Sequence, residues 1–288
     1  MVTRYVIITP ARDEEEHVQT TIESVSGQSV RPAEWVIVDD GSTDRTGAII
    51  DQYAAQFPWI RVIHRPNRGF RKAGGGVVDA FNEGYSSLRC NDWDFIVKLD
   101  GDLRFSPDYF QRCFEHFRKQ PELGIGGGEI YHDWGNKLKL EVNPRFHVRG
   151  ATKIYRRACW DAIGGLWVGP GWDTIDEVKA NMLGWKTRSF EELPLVHLRP
   201  TGTADGHLRD CVKHGLVCYT CGYHPLFVLA SCLYRVDRKP YGIGSLAIAW
   251  GFLKAYLTRT SRVDDKRLTR YVRLQQLRRL CGLETIWR

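Results

Sequence analysis

Residues 95–102, FIVKLDGD, are the stretch on which the fold assignment depends. An apolar run ends in two carboxylates, Asp100 and Asp102, with only Gly101 between them. Short runs that are apolar throughout are typical of strands buried on both faces in a parallel sheet. In open α/β sheets ligands bind beyond the carboxyl ends of the strands, so we expect these acids where a ligand would lie. Two such carboxylates can hold one hard divalent ion, which can in turn bridge diphosphate oxygens.

A second apolar run continues into acidic residues at positions 35–44, WVIVDDGSTD. An acid at the end of a strand can accept hydrogen bonds from ribose hydroxyls or from a base N–H. Ser42 or Asp44 can instead simply cap the helix that follows. Capping does not explain Asp39 and Asp40, which come directly after the apolar strand. The sequence therefore predicts a second loop of the same ligand site here.

Strand-like and helix-like segments alternate through the first hundred residues, which indicates right-handed βαβ units. The predicted fold class is therefore α/β, with an open, mostly parallel sheet flanked by helices. Beyond residue 205 the pattern is helical only, so we expect an α/β domain at 1–205 and a helical, basic C-terminal extension at 206–288. The predicted strands are 5–9, 35–38, 60–64, 95–99, 123–131 and 187–198, and the predicted helices before residue 205 are 14–26, 44–56, 75–88, 107–119 and 173–183.

The bulk composition is that of an ordinary globular protein, with 43% hydrophobic and 26% charged residues in a chain of 288. No leading signal peptide is visible, which favours a cytoplasmic location. Two nucleotide-binding classes lack their motifs. The first strand leads into Pro-Ala-Arg-Asp at 10–13 rather than into G-x-G-x-x-G, and no G-x-x-x-x-G-K-[ST] occurs.

The formal net charge of +7 comes from the C-terminus. Residues 253–288 hold ten Lys or Arg against three Asp or Glu, a difference of +7. Such a region can meet nucleic acid, anionic lipid or a polyanionic substrate, or it can be a solvated helical face. No nucleic-acid-binding module is recognisable, which makes that partner the least favoured. The apolar stretch 245–257 is shorter than the roughly 20 residues that span a bilayer. It can lie in a membrane interface, at the inner face of the membrane, or pack on the main domain.

Four motifs occur in one order and spacing: IITPARDEEE, VIVDDGSTD, KAGGGVVDAFNEG and VKLDGD. Together they resemble the family 2 inverting glycosyltransferases of the GT-A fold, over residues 4 to 200. The resemblance implies a hexosyltransferase-type enzyme that moves a sugar from a nucleotide-diphosphate-sugar to an acceptor hydroxyl with inversion. It also implies a divalent metal, Mn²⁺ or Mg²⁺, and a glycan or lipid-linked acceptor in cell-surface polysaccharide or glycolipid assembly. The alternative is a catalytically inactive, nucleotide-sugar-binding subunit of a polysaccharide-assembly complex.

The resemblance also implies residue roles. Asp102 matches the direct metal ligand, Asp100 the acid near the ribose, and Asp40, or less well Asp39, the acid on the base and ribose. The first loop departs from the family, which usually has Pro-x-Tyr/Phe-Asn, so an aromatic stacked on the base is not expected. A late histidine on the metal corresponds to His197. The nucleotide-binding residues implied by the resemblance are Pro10, Ala11, Arg12, Asp39, Asp40, Arg71, Lys72, Asp100, Gly101 and Arg199.

An inverting transfer also needs a base for the proton of the acceptor hydroxyl. In similar enzymes a Glu-Asp pair lies about eleven residues before a Gly-aromatic pair. Counting back from Gly184 and Trp185 gives Asp173 as the base, with Trp172 in place of the Glu. Asp176 is the second candidate because it would share a helical face with Asp173. Either acid can instead serve only as a helix cap.

Overall fold

The computed structural model describes residues 3–70, 75–133, 137–199, 206–237 and 240–287. Nine strands and ten helices lie in these ranges. The strands are β1 (Tyr5–Ala11), β2 (Glu34–Asp39), β3 (Ile60–His64), β4 (Phe95–Leu99), β5 (Leu103–Phe105), β6 (Leu123–Asp133), β7 (Leu138–Leu140), β8 (Thr152–Arg156) and β9 (Lys186–His197). The helices are α1 (Val18–Ser26), α2 (Thr46–Gln56), α3 (Gly76–Ser86), α4 (Tyr109–Lys119), α5 (Arg157–Ile163), α6 (Trp172–Met182), α7 (His207–Thr220), α8 (Pro225–Tyr234), α9 (Ile243–Leu257) and α10 (Lys266–Leu280).

The strands form one open sheet in the order β3-β2-β1-β4-β8-β6-β9-β5, with β7 paired to β6 at one side. The first four strands are parallel, as expected for βαβ units. From β4 onward antiparallel pairings enter, so β8 runs against both β4 and β6. The predicted α/β class, with a helix-flanked sheet and a helical C-terminal region, is confirmed.

Both faces of the sheet are covered, which explains the apolar runs of β1, β2 and β4, interrupted in β4 by Lys98. In β1, Tyr5 and Ile7 pack into one core with α1 and α4, whereas Val6 and Ile8 pack into a second core with α3 and α5. Successive side chains on a strand point to opposite faces, so a strand buried on both faces needs apolar residues at consecutive positions. The hydrophobic runs therefore locate the parallel strands β1 to β4 correctly.

Two predicted helices begin later than the sequence indicates, because polar groups at the strand ends bind the residues before them. The helix predicted at 14–26 begins at Val18, and the Glu14 N–H donates instead to the buried Thr46 hydroxyl at 2.7 Å. The helix predicted at 44–56 begins at Thr46, whose N–H donates to the Asp44 carboxylate at 2.9 Å. The Asp44 carboxylate thus binds the first residue of α2, although the N-cap residue is Arg45, which makes no side-chain cap bond.

The C-terminal helices pack on the α/β part through α6. Ile175 and Val178 of α6 share a buried cluster with Cys221, Val272 and Trp287. The predicted boundary at 205 falls in residues 200–205, outside the described ranges.

Helices α7 and α9 approach each other backbone to backbone at two glycines. A Cβ on Gly215 would lie 2.0 Å from the carbonyl oxygen of Ile248, and a Cβ on Gly251 would lie 2.1 Å from that of Val212. Neither position can accept a side chain without separating the helices. No helix in the described part of the chain is long and apolar enough to cross a bilayer.

Candidate active site

The ends of β1, β2 and β4 meet at one edge of the sheet. The Asp40 N–H donates to the Ala11 carbonyl at 2.8 Å, which ties the loop after β2 to the end of β1. Pro10 is paired with Val38 within the same ladder. Gly101 lies beside the end of β1, since a Cβ at this glycine would sit 3.6 Å from the Cβ of Ala11. The structure therefore brings the three predicted loops together.

The loops after β1 and β2 are joined by side-chain contacts as well. Asp13 adopts a positive φ of 53°, which is uncommon for a residue with a side chain. Its carboxylate accepts the Thr43 N–H at 2.8 Å, and its own N–H donates to the Ser42 hydroxyl at 3.0 Å. The two loops therefore form one bonded unit.

Asp102 and His197 form a buried pair at this edge. The ladder between β5 and β9 sets Leu103 opposite His197, and the Leu198 N–H donates to the Asp102 carbonyl at 2.9 Å. Through this register His197 Nε2 lies 3.0 Å from Asp102 Oδ2. Burial acts to raise the pKa of Asp102, but the hydrogen bond and charge of His197 outweigh it and lower that pKa.

Two atoms of this pair have no hydrogen-bond partner among the described residues. They are Oδ1 of Asp102 and Nδ1 of His197, and both are buried. A buried polar atom left without a partner costs about 1–3 kcal/mol. At this edge of the sheet, a bound ion or ligand would satisfy such an atom.

Asp100 is bonded to Lys98, which the sequence does not single out. The Lys98 ammonium is buried and donates both to Asp100 and to the carbonyl of Gly150, at 2.5 Å for the latter. It also lies 5.3 Å from the centroid of the Trp172 ring. Burial raises the pKa of Asp100, and the charge of Lys98 opposes that rise.

The predicted base-binding acids, Asp39 and Asp40, are both occupied by partners within the chain. Asp39 accepts the Ser42 N–H at 2.9 Å and contacts His64 Nδ1 at 3.0 Å. Asp40 receives both terminal nitrogens of Arg68 at 2.6 Å, a bidentate pair, and Arg65 at 2.5 Å. In the described structure the two acids therefore fix the loops after β2 and β3.

Arg12 and Arg199 are two further cations at this edge of the sheet. Arg12 donates to the Asp40 carbonyl and to Asn67 Oδ1, both at 3.0 Å. Arg199 donates to the Glu14 carboxylate at 2.5 Å and to the Asp13 carbonyl at 2.8 Å. Both guanidinium groups therefore bind to the joined loops after β1 and β2. Arg71 and Lys72, also predicted to bind the nucleotide, lie outside the described residues.

Asp173 lies at the start of α6, close to the Asp100 region. A Cβ on Gly150 would sit 3.3 Å from the Asp173 Cβ, and the Gly150 carbonyl is the one that accepts from Lys98. Burial acts to raise the pKa of Asp173, but the charges of Lys153 and His147, followed by Arg149, lower it overall. The Asp173 carboxylate is therefore ionised at neutral pH.

Asp176, the second candidate base, lies in the interior. Its carboxylate accepts from Lys153 Nζ at 2.9 and 3.1 Å, from the Tyr155 hydroxyl at 2.5 Å and from the Glu177 N–H at 2.7 Å. Glu177 in turn binds His147 Nδ1 at 2.8 Å. Burial and the neighbouring Glu177 raise the pKa of Asp176 to about 6. All these partners are internal, which favours a structural role for Asp176.

Sequence reasoning missed four cations of this site, Lys98, Lys153, Arg65 and Arg68. Lys98 interrupts the apolar run of β4, which is a signal of a buried ion pair, whereas Lys153 lies in the mixed sequence TKIYR of β8, which gives no such signal. Arg65 and Arg68 directly follow β3, and their place at a strand end could have marked them. No group of three or more His, Cys, Asp or Glu side chains in the described residues is arranged to hold a metal by itself.

The model of glycosyl transferase family 2 matches residues 6–169, more than half of the chain. Uncharacterized glycosyltransferase EpsJ of Bacillus subtilis is 34% identical over 131 residues, which are 46% of this chain and 35% of that protein. Chondroitin synthase of Pasteurella multocida is 31% identical over 117 residues, 41% of this chain and 11% of that one. The chain thus spans about a third of the first relative and about a tenth of the second.

Two solved structures share the fold at low identity. The mannosyltransferase PcManGT of Pyrobaculum calidifontis, solved with GDP-Man and Mn²⁺, has a TM-score of 0.59 at 14% identity. That superposition covers 99% of this chain and 77% of the other. S. aureus TarS 1–349 with UDP-GlcNAc has a TM-score of 0.56 at 15% identity, covering 91% and 74%. These similarities confirm the GT-A fold expected from the motifs.

Proposed function

The chain belongs to glycosyl transferase family 2, and from this we propose that it transfers a sugar from a nucleotide-diphosphate-sugar to an acceptor hydroxyl, with inversion. Relatives that share part of its sequence include a chondroitin synthase and the poly-β-1,6-N-acetyl-D-glucosamine synthase of Staphylococcus epidermidis. Their names support glycan assembly as the role. The structural neighbours solved with GDP-Man and UDP-GlcNAc support a nucleotide-sugar donor.

The observation that carries the proposal is the buried pair of Asp102 and His197. Oδ1 of Asp102 and Nδ1 of His197 are both buried without a hydrogen-bond partner among the described residues. The Asp102 Oδ2 and His197 Nε2 atoms are separated by 3.0 Å. A divalent ion would be held by Asp102, whose Oδ1 has no partner among the described residues, together with His197, whose bond to Oδ2 would give way to the ion. An imidazole ligand favours a transition ion such as Mn²⁺ over Mg²⁺, which prefers oxygen.

A bound ion would supply charge to offset the leaving diphosphate. The chain's own groups do the rest of the binding work in this proposal. Asp100 faces the ribose, with its carboxylate held in place by Lys98. Arg199 adds a second positive charge for the diphosphate, a partner that guanidinium binds well.

Asp173 is the proposed base. The acceptor oxygen bonds to the anomeric carbon as the bond from that carbon to the diphosphate oxygen breaks, and Asp173 takes the hydroxyl proton. Because its pKa is lowered by Lys153 and His147, the carboxylate is in the form that accepts a proton. Its place beside Gly150, the residue bonded to Lys98, puts it near the proposed ribose site.

Donor binding tests the metal assignment. We expect a UDP-, GDP- or dTDP-sugar with Mn²⁺ to raise the melting temperature of the wild-type chain, and Asp102→Asn to abolish the Mn²⁺-dependent part. The exposed acid Asp161 provides the control, because Asp161→Asn should leave the shift unchanged. An unchanged shift in Asp102→Asn would refute the metal site.

Turnover tests the base and separates the enzyme from an inactive binding subunit. Asp173→Asn should keep the donor affinity and lower release of the nucleotide diphosphate about 10²–10⁴-fold. Loss of affinity as well would assign Asp173 a structural role. A wild-type chain that binds donors and never releases product would support the inactive subunit. The anomeric configuration of the product, read by NMR, decides inversion.

A further inference from the structure

Helices α8 and α9 expose large apolar side chains to an unusual extent. α8 contains no charged residue, and α9 contains one, Lys254. The two helices pack on each other, and the Ser245 hydroxyl of α9 donates to the Cys232 carbonyl of α8 at 2.8 Å. The exposed large side chains, each 48–73% accessible, are Leu226, Leu229, Leu233 and Tyr234 on α8 and Ile243, Leu246, Trp250, Leu253, Tyr256 and Leu257 on α9.

The two faces of α9 differ in side-chain size, and only the small face is covered. Gly244, Ser245, Gly251 and Ala255 are buried, together with one larger residue, Ile248. The absence of a side chain at Gly251 lets this face lie directly on the backbone of α7, which fixes the rotation of the helix. A helix that is apolar all round is usually buried on every side or placed in a membrane.

The outward face of α9 forms one continuous stripe. Its members follow each other at steps of three or four residues, which is the spacing of a single helical face. At 1.5 Å per residue the stripe is about 21 Å long. Its residues are Ile243, Leu246, Trp250, Leu253 and Leu257.

Positive charge adjoins this stripe. Lys254 lies within α9, and the exposed Arg259 and Arg262 follow its end by two and five residues. Helix α10, which also packs on α8, contains six Lys or Arg and no acidic residue. An anionic lipid surface attracts such groups, and Trp and Tyr favour the boundary between lipid headgroups and acyl chains.

We propose that the exposed face of α8 and α9, defined by the ten apolar residues above, docks in the interface of an anionic phospholipid bilayer. The helices lie in the membrane plane, with basic residues on the lipid headgroups. A second copy of the chain fits this face less well, because pairing would bring two basic regions together. The proposal is independent of the sugar-transfer function.

Vesicle flotation with the full chain tests the surface. We expect wild type to float with vesicles of phosphatidylcholine containing about a third phosphatidylglycerol. Leu246→Gln combined with Trp250→Gln should reduce partitioning at least tenfold. Val142→Gln with Leu183→Gln, which alters two exposed apolar residues elsewhere, is the matched control and should not change it. Wild type that stays at the bottom, or equal losses in both variants, would overturn the proposal.

Charge and depth give two further measurements. Removing Lys254, Arg259 and Arg262 as glutamines should weaken binding about fivefold for each residue, and only to the anionic vesicles. Brominated lipids should quench wild-type fluorescence more than that of Trp250→Phe, which keeps the apolar surface. Equal quenching would contradict insertion. Sedimentation without vesicles tests whether a second copy of the chain binds this face instead. A wild-type dimer that is absent in the Leu246/Trp250 variant would assign the face to self-association.

Discussion

Lys153→Met should destabilise the fold severely, because it removes the cation from a closed ion cluster. Lys153 is inaccessible to solvent, and its ammonium lies 2.9 Å from both Asp176 and Glu177, two acids that are also buried. It also donates to the carbonyl of Asp173. Without it, the one ion pair left to these two carboxylates among the described residues is that of Glu177 with His147. Removing one partner of a buried pair costs about 3–5 kcal/mol.

The matched control is the same substitution at the surface. Lys186 lies 3.0 Å from Glu122, nearly the same distance, but the two side chains are 67% and 44% exposed. An exposed pair contributes less than about 1 kcal/mol. In a chain of this size, 1 kcal/mol corresponds to about 2 °C in melting temperature. We therefore expect a fall of about 6–10 °C for Lys153→Met and of less than about 2 °C for Lys186→Met. Equal shifts in calorimetry, or in urea denaturation, would refute the claim that burial decides the energy.

Two further predictions concern packing and pH. Gly251→Val should overpack the contact between α7 and α9 and lower the free energy of unfolding by about 1–3 kcal/mol or more. Ala249→Val, on the exposed side of α9, is the control and should leave the denaturation midpoint nearly unchanged. Similar midpoints for the two variants would contradict the close approach of the helices. The pKa of His64 is raised by its hydrogen bond to Asp39, against burial, and then by Asp51. Asp51→Asn should therefore lower that pKa in an NMR titration. The stabilisation by Asp51 should be present at pH 5.5 and fade as the pH rises through the raised pKa of His64. A difference in unfolding free energy between wild type and Asp51→Asn that grows toward pH 8.5 would contradict this assignment.

The sequence was sufficient for the parallel strands β1 to β4, because their apolar runs stand out along the chain. The strands at 60–64 and 95–99 were predicted with the bounds that the structure has. β8 was missed, although it lies between β4 and β6 in the sheet. Its sequence, TKIYR, contains Lys153 and Tyr155, whose polar ends are satisfied by Asp176. A strand whose polar groups are paired inside the fold does not look buried in a single sequence.

The candidate site likewise has residues that the sequence indicates and residues that it does not. Residues at strand ends, such as Asp100 and Asp102, were found because position alone marked them. Lys98 lies only two residues before Asp100, whereas Arg68 and Asp40 meet only in the folded chain. Local spacing also could not separate Asp173 from Asp176, because both suit the start of α6. What separates them is that the interior supplies partners to Asp176 on both oxygens.

Lys98 has a consequence for the order in which ligands bind. Its ammonium neutralises one of the two carboxylates of the Asp100–Asp102 turn, so a free divalent ion would meet little net negative charge there. A divalent ion alone would leave an excess of positive charge at the turn. The negative charge of a diphosphate would cancel that excess. We therefore expect ion and nucleotide to arrive as a complex, with calorimetry showing weak uptake of Mn²⁺ alone. Lys98→Met should strengthen that uptake and remove the dependence on nucleotide.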